Sequence, residues 1–239
     1  MEGFQNFNVG NFDPNTLANQ TSDVIQFLNI VDKSGSVDKF LPTFNTVLTE
    51  VFMNEYQTCH RKNDIVVKSI EFNNVVEHKS GFMPVLSLPS DYFEIKNADR
   101  TTALYDAVHQ GLEHVLQYRD DLEDQGVNVR SSVFVATDGC DNASNFDSAR
   151  KIRELIERLR KEEKSNFTIT VLGVGVRSEF EAACVEMGLN PAICLMTVDA
   201  LSANPTPAEL EKFRKELRSK MGVVSQSVSS SSSSTTVNF

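Results

Sequence analysis

Three short runs, "VIQFLNIV" at 24–31, "SVFVA" at 132–136 and "FTITVLGV" at 167–174, are apolar almost throughout. A strand with water on one face alternates apolar and polar residues, so runs of this kind fit strands that are covered on both faces. Between them lie segments with helical spacing. Phe40, Phe44, Val47, Leu48, Val51 and Phe52 form one stripe, with Pro42 early enough in the helix to be tolerated. Leu104, Val108, Leu112 and Val115 form a second, and Ala149, Ile152, Leu155, Ile156 and Leu159 a third, whose opposite face is densely charged. Strands that alternate with helices predict an α/β fold: a doubly wound, mostly parallel sheet with helices on both faces.

Further extended segments are expected at 64–72, 83–88 and 192–198. The segments around 72–88 follow one another with no helix between them, which predicts one antiparallel strand at an edge of the sheet. Ser178 with Glu181, and Thr206 with Pro207 and Glu209, match the pattern of a capping box, and Gly188 and Gly222 fit the ends of those helices. The first 21 residues are rich in Asn, Gln, Gly and Thr without apolar period and read as a flexible arm. Residues 223–239 are a serine tract that buries too little apolar surface to order itself. One domain spanning 22–222 is expected between these tails.

A net charge of −10 disfavours general binding to nucleic acid or to an anionic membrane. No basic start followed by an apolar core opens the chain, and no apolar run approaches the roughly 20 residues of a membrane span. The four cysteines, Cys59, Cys140, Cys184 and Cys194, show no Cys-x-x-Cys spacing and read as free thiols. A cytoplasmic, soluble protein is the expectation. The histidines His60, His78, His109 and His114 share no ligand spacing and are read as structural or exposed.

Ligands of such sheets bind beyond the C-terminal ends of the strands, so the loops that follow the apolar runs carry the functional information. After the first comes Asp32-Lys33-Ser34-Gly35-Ser36; after the run at 132–136 comes Thr137-Asp138-Gly139-Cys140-Asp141-Asn142; the second helix is preceded by Thr101 and Thr102. Carboxylates mixed with neutral hydroxyls suit a hard divalent cation and are a poor match for zinc or copper. Singly, each residue has an ordinary reading, since Ser36, Thr101 or Thr102 can cap a helix and Asp-Gly is a common turn pair. Asp141 and Asn142 stand close enough to the rim to support such a site.

Together, "VDKSGSV", "TTALYDAV" and "VATDGCDN" resemble the three-part metal-ion-dependent adhesion site of von Willebrand factor A domains, in the same order along the chain. The resemblance covers roughly residues 22–200. It implies a doubly wound sheet with one antiparallel edge strand. It also implies Mg2+, or Mn2+ or Ca2+, held by Ser34, Ser36 and Thr102, with Asp32 and Asp138 acting directly or through water. A protein partner that donates a carboxylate to the metal is implied as well, and no catalysis. Arg100 and Thr101 stand where the family often has two glycines, which leaves Thr101 and Thr102 as alternatives; the pattern Thr-x-Leu-Tyr-Asp favours Thr102.

Other readings are weaker, among them a structural or assembly subunit whose site has lost its metal, against which the complete set of five ligands argues. A magnesium-dependent phosphatase or phosphotransferase would use Asp32 as nucleophile, but such enzymes place a second Asp two residues on, where this chain has Ser34. Gly173 and Gly175 at a strand end resemble part of a dinucleotide loop, yet the third glycine is missing.

Overall fold

The computed structural model describes residues 11–161 and 166–198, together with Thr206, Ala208, Glu211 and Lys215. Seven strands form one sheet: β1 (Asp23–Asp32), β2 (Ile65–Phe72), β3 (Val76–His78), β4 (Met83–Pro84), β5 (Asn128–Thr137), β6 (Phe167–Val174) and β7 (Leu195–Val198). Their order across the sheet is β3-β2-β1-β5-β6-β7, with the two-residue β4 also paired to β2. All pairs are parallel except those of β2 with β3 and with β4. This is the expected doubly wound, mostly parallel sheet with its antiparallel edge strand.

Alternation within the buried strands sorts the core into two layers. From β1, Val24, Leu28 and Ile30 pack with Leu104, Leu112 and Val115 of α3 (Leu104–Glu123) and with Ile152 and Ile156 of α4 (Ser148–Lys161). Ile25, Phe27 and Val31 point the other way, onto Phe44, Leu48 and Phe52 of α2 (Leu41–Thr58). Phe52 meets Phe134 of β5 edge-on at 5.0 Å between centroids, a favoured aromatic geometry. Burial of both faces is what makes the strands read as unbroken apolar runs. The side chains of Phe40, Val47 and Val51, expected on the α2 stripe, lie outside the described residues.

Four expectations need correction. Residues 11–21 are not a loose arm: Asp13 caps α1 (Pro14–Ala18), Leu17 is buried, and the Phe12 N–H donates to the Phe82 carbonyl at 2.8 Å. One leucine, backbone pairing and the Tyr118 hydroxyl on the Phe12 carbonyl at 2.9 Å anchor a stretch whose polar composition hides them. The strand expected at 83–88 ends at Pro84, which has no N–H for a ladder, and a 3-10 turn (Val85–Ser87) follows. The strand expected at 192–198 starts only at Leu195. Asn190 accepts from the Ala192 N–H and Pro191 takes a first helical position, so the preceding residues wind into α6 (Pro191–Cys194). Ser178 does not cap a helix either: α5 (Arg177–Glu186) has Val176 at its N-cap, and Glu181 pairs with Arg177 at 2.6 Å.

Gly188 does end α5, at a φ of +79° that favours glycine. Thr206 is exposed coil, and Ala208, Glu211 and Lys215 are helical and exposed. The remainder of the expected C-terminal helix with Gly222, the serine tract, and residues 1–10 of the arm lie outside the described residues.

Candidate metal centre

The connection from β1 through α2 to β2 runs to one side of β1, and β5 pairs on its other side. This reversal of strand order opens a crevice beyond the ends of β1 and β5. Register brings the right residues there. Val31 lies opposite Ala136, so the next residues, Asp32 and Thr137, end side by side. Asp32 is fully buried. Its Oδ1 accepts from the Ser34 N–H at 2.7 Å and its Oδ2 from the Thr137 hydroxyl at 2.5 Å.

Backbone bonds tie the loop after β1 to the loop before α3. The Gly35 N–H donates to the Arg100 carbonyl at 3.0 Å, and the Asp99 N–H to the Lys33 carbonyl at 3.0 Å. Gly35 does not adopt a left-handed backbone; its value is close approach, since a Cβ there would sit 3.4 Å from the Arg100 carbonyl oxygen. The left-handed residue is Arg100 itself, at φ +69°. That is the stretch where the resemblance calls for glycine. A side chain in this region costs about 1 kcal/mol, and the exposed Arg100–Asp99 ion pair at 3.5 Å returns little of it. Arg100→Gly is therefore expected to raise unfolding free energy by about 0.5–1 kcal/mol in urea titration, net of the extra freedom that glycine gives the unfolded chain.

The third loop closes the cluster. The Ser36 hydroxyl donates to Asp138 Oδ1 at 2.6 Å and lies 3.1 Å from the Ser34 hydroxyl. A carbon added to Gly139 would be 3.6 Å from Thr102 Oγ1 and 3.8 Å from Ser36 Oγ, so these hydroxyls approach the same point. Asp32, Ser34, Ser36, Thr102 and Asp138 are thus gathered from three separate loops. Thr102 is buried in this cluster and Thr101 is exposed.

The capping readings do not hold. Ser36 precedes a 3-10 turn (Val37–Phe40) without bonding its amides, and the N-cap of α3 is Ala103, again with no side-chain bond. Amides at the start of α3 are met by the third loop instead, Tyr105 N–H by Asp141 at 3.3 Å and Asp106 N–H by Ser144 at 3.0 Å.

Three further residues support the cluster: Asn142, expected near the rim from sequence, and Thr137 and Asp106, which were not singled out. Thr137 holds the carboxylate of Asp32. Asn142 brackets Thr102, accepting from its N–H at 2.8 Å while the Asn142 N–H donates to the Thr102 carbonyl at 2.9 Å. Asp106 accepts from the Asn145 amide at 2.8 Å and from the Ser148 hydroxyl, fixing the far end of the loop to α4. The Thr137 signal was in reach of the sequence: a hydroxyl at a strand end, level with the carboxylate that ends the neighbouring strand.

Burial pushes the Asp32 carboxyl up to about 6, against the lowering effect of its hydrogen bonds, and the Asp138 charge adds to the rise. Burial raises Asp138 as well, offset in part by Ser36 and Lys39. Among the described residues no cationic side chain pairs with Asp32. The donor set, two carboxylates and three hydroxyls, fits a hard cation, and the unfavourable burial of both acids is the kind that a cation relieves. No group of three or more His, Cys, Asp or Glu side chains suited to a metal occurs among the described residues, in keeping with a site whose neutral ligands are hydroxyls.

No family model matches the sequence, and no curated protein matches it. Solved structures do. A von Willebrand factor type A protein from Catenulispora acidiphila aligns over 84% of this chain and 43% of its own, at TM-score 0.55 and 18% identity. The fold is that of von Willebrand factor A domains. Proximal thread matrix protein 1 from the mussel byssus matches this A-type fold over 86% of the chain and 46% of its own, at TM-score 0.56 and 15% identity. The pilus adhesin SpaC from Lactobacillus rhamnosus GG matches over 86% and 30%, at TM-score 0.61 and 11% identity. The chain spans less than half the length of each of these three. Among the described residues, no helix of this A-type fold is long and apolar enough to cross a membrane.

Proposed function

We propose that the protein is a non-catalytic, divalent-cation-dependent protein-binding module that acts in the cytoplasm within a multiprotein assembly. Mg2+, or Mn2+ or Ca2+, is held at Asp32, Ser34, Ser36, Thr102 and Asp138. A bound cation supplies charge that offsets the two carboxylates and a coordination position for an incoming carboxylate of the partner protein. The observation that carries this reading is the meeting of three hydroxyls and two carboxylates from three loops at the strand-order reversal. A mussel byssus protein of this fold has been solved with zinc in the corresponding motif, which supports divalent binding as a use of the fold.

The residues of this chain divide the work. Thr137 and the Ser34 amide orient Asp32, Asn142 positions Thr102, and the exposed Ser36 and half-buried Asp138 face the partner's side. Asp32 is ill placed as a nucleophile, because both oxygens are engaged and none of its surface is open. The four cysteines form no disulfide, in keeping with a reducing compartment.

Calorimetric titration of Mg2+ and Mn2+ into Thr101→Ala and Thr102→Ala tests the assignment. Thr102→Ala is expected to weaken binding about tenfold or more, and Thr101→Ala to leave it unchanged. A Thr102 variant that titrates like wild type overturns the site. Capture of a partner that persists undiminished in chelator overturns the cation-dependent function.

A further inference from the structure

Among the described residues the sheet buries one lysine. Lys68 of β2 is 2% exposed and points into the α3 layer beside Val66 and Ile70. Ile70 pairs with His78 across the antiparallel edge, which sets the His78 ring next to Lys68. From α3, the ring of His114 lies over that of His78, with centroids 4.6 Å apart. The floor is Phe82, whose centroid is 5.8 Å from the Lys68 ammonium and which stacks on Tyr118 at 4.8 Å.

Nothing among the described residues neutralises this group. Glu77, adjacent to His78, turns to Lys33 at 2.6 Å; Glu113 on α3 faces His109; Asp13 acts on Tyr118. A neutral polar partner, Gln110, engages the His78 ring. His78 Nδ1 is buried and has no hydrogen-bond partner. A buried ammonium without a carboxylate and a buried imidazole nitrogen without a partner are both costly unless something binds them. Burial accordingly holds Lys68 down to about 8, and burial together with repulsion from Lys68 holds both imidazoles down to about 4.

We propose that Lys68, His78 and His114 form a binding site for a small free oxyanion of the size and chemistry of inorganic phosphate, between the β3 edge and α3. The ammonium supplies charge at the base, His114 supplies one N–H, and His78 supplies a second from its unpartnered Nδ1 in the tautomer whose other nitrogen accepts from the Gln110 amide. The two rings are half-buried and the lysine is enclosed, so a compact anion suits the site and a bulky phosphorylated group does not. The site shares no residue with the metal centre.

Inorganic phosphate is titrated into the full chain in the presence of chelator, with the ring protons of all four histidines followed by NMR. The His78 and His114 signals, assigned through His78→Gln and His114→Gln, are expected to shift and saturate by about 10 mM, while those of His60 and His109 stay in place. Bound phosphate also raises the titration midpoints of the two rings, because a nearby anion favours their charged forms. Lys68→Met, which keeps the stem and removes the charge, is expected to weaken binding about tenfold. Should that variant fail to fold, His114→Gln, at a half-buried position, supplies the comparison. Rings that do not respond, four histidines that respond alike, or variants that bind as wild type overturn the proposal.

Discussion

Replacing Asp32 with asparagine is expected to stabilise the metal-free protein at neutral pH and to weaken its divalent-cation affinity on the order of 100-fold. The two effects have one origin. The carboxyl group is enclosed and its pKa in the folded state stands near 6, above the ordinary value of 3.8. Between those values the folded chain binds more protons than the unfolded one, so stability falls as pH rises from about 4 to about 6. At pH 7.5 the ionised Asp32 costs the metal-free fold about 2–3 kcal/mol relative to acid. Asparagine keeps an oxygen for the Ser34 amide and has no such titration. In chelator, urea unfolding at pH 4.5 and 7.5 should show a loss of stability in wild type that is much reduced in Asp32→Asn, with Asp138 contributing what remains in the same direction. With saturating Mg2+ the order reverses, since binding to the folded state stabilises wild type and not the variant. A variant that binds Mg2+ as wild type does, or that is less stable in chelator at pH 7.5, contradicts the placement of this carboxylate.

The same burial explains what was legible in the sequence. Strands enclosed on both faces must be apolar throughout, so β1, β5 and β6 announce themselves, and their loops carry polar atoms only where a rim needs them. Asp32, Ser34, Ser36 and Asp138 could be placed at the rim because they sit just past those runs, where a few residues of chain leave little freedom of placement, and Thr102 because it stands just before the well-marked stripe of α3. Elements held by one or two long-range contacts were not readable. Leu17 is the only buried side chain of α1, and no period reveals a single residue. Pro84 and Asn190 redirect the backbone through a missing donor and a side-chain cap, overriding segments whose apolar content suggests strand. Lys68 was hidden differently. In "IVVKSIEF" it occupies the place of an inward apolar residue, and only the fold shows that α3 and β3 bring two imidazoles to it.

Gly173→Ala is expected to be among the most damaging single-methyl additions in the chain. In sequence Gly173 and Gly175 at the end of β6 have the look of a phosphate-binding turn, but the structure gives each another task. Gly175 has φ +144°, a backbone region that favours glycine. Gly173 provides space: a Cβ on it would lie 2.4 Å from two ring atoms of Phe180 and 2.7 Å from a third. Phe180 is buried on α5, so its ring has no free volume to enter and the helix must move away from the sheet. Overpacking of this kind costs about 3 kcal/mol, read as a lower urea midpoint with unchanged slope. The sign of the coupling identifies the cause. Phe180→Leu alone loses buried surface and should destabilise by about 1 kcal/mol, yet in the Gly173→Ala background it should restore stability, because the smaller side chain vacates the space that the methyl needs. Gly173 also pairs with Thr137, whose hydroxyl holds Asp32, so the alanine variant should bind Mg2+ more weakly and the double variant should recover part of that affinity. Additive destabilisation by the two substitutions would mean that Phe180 is not the obstacle and that the glycine is required for another reason.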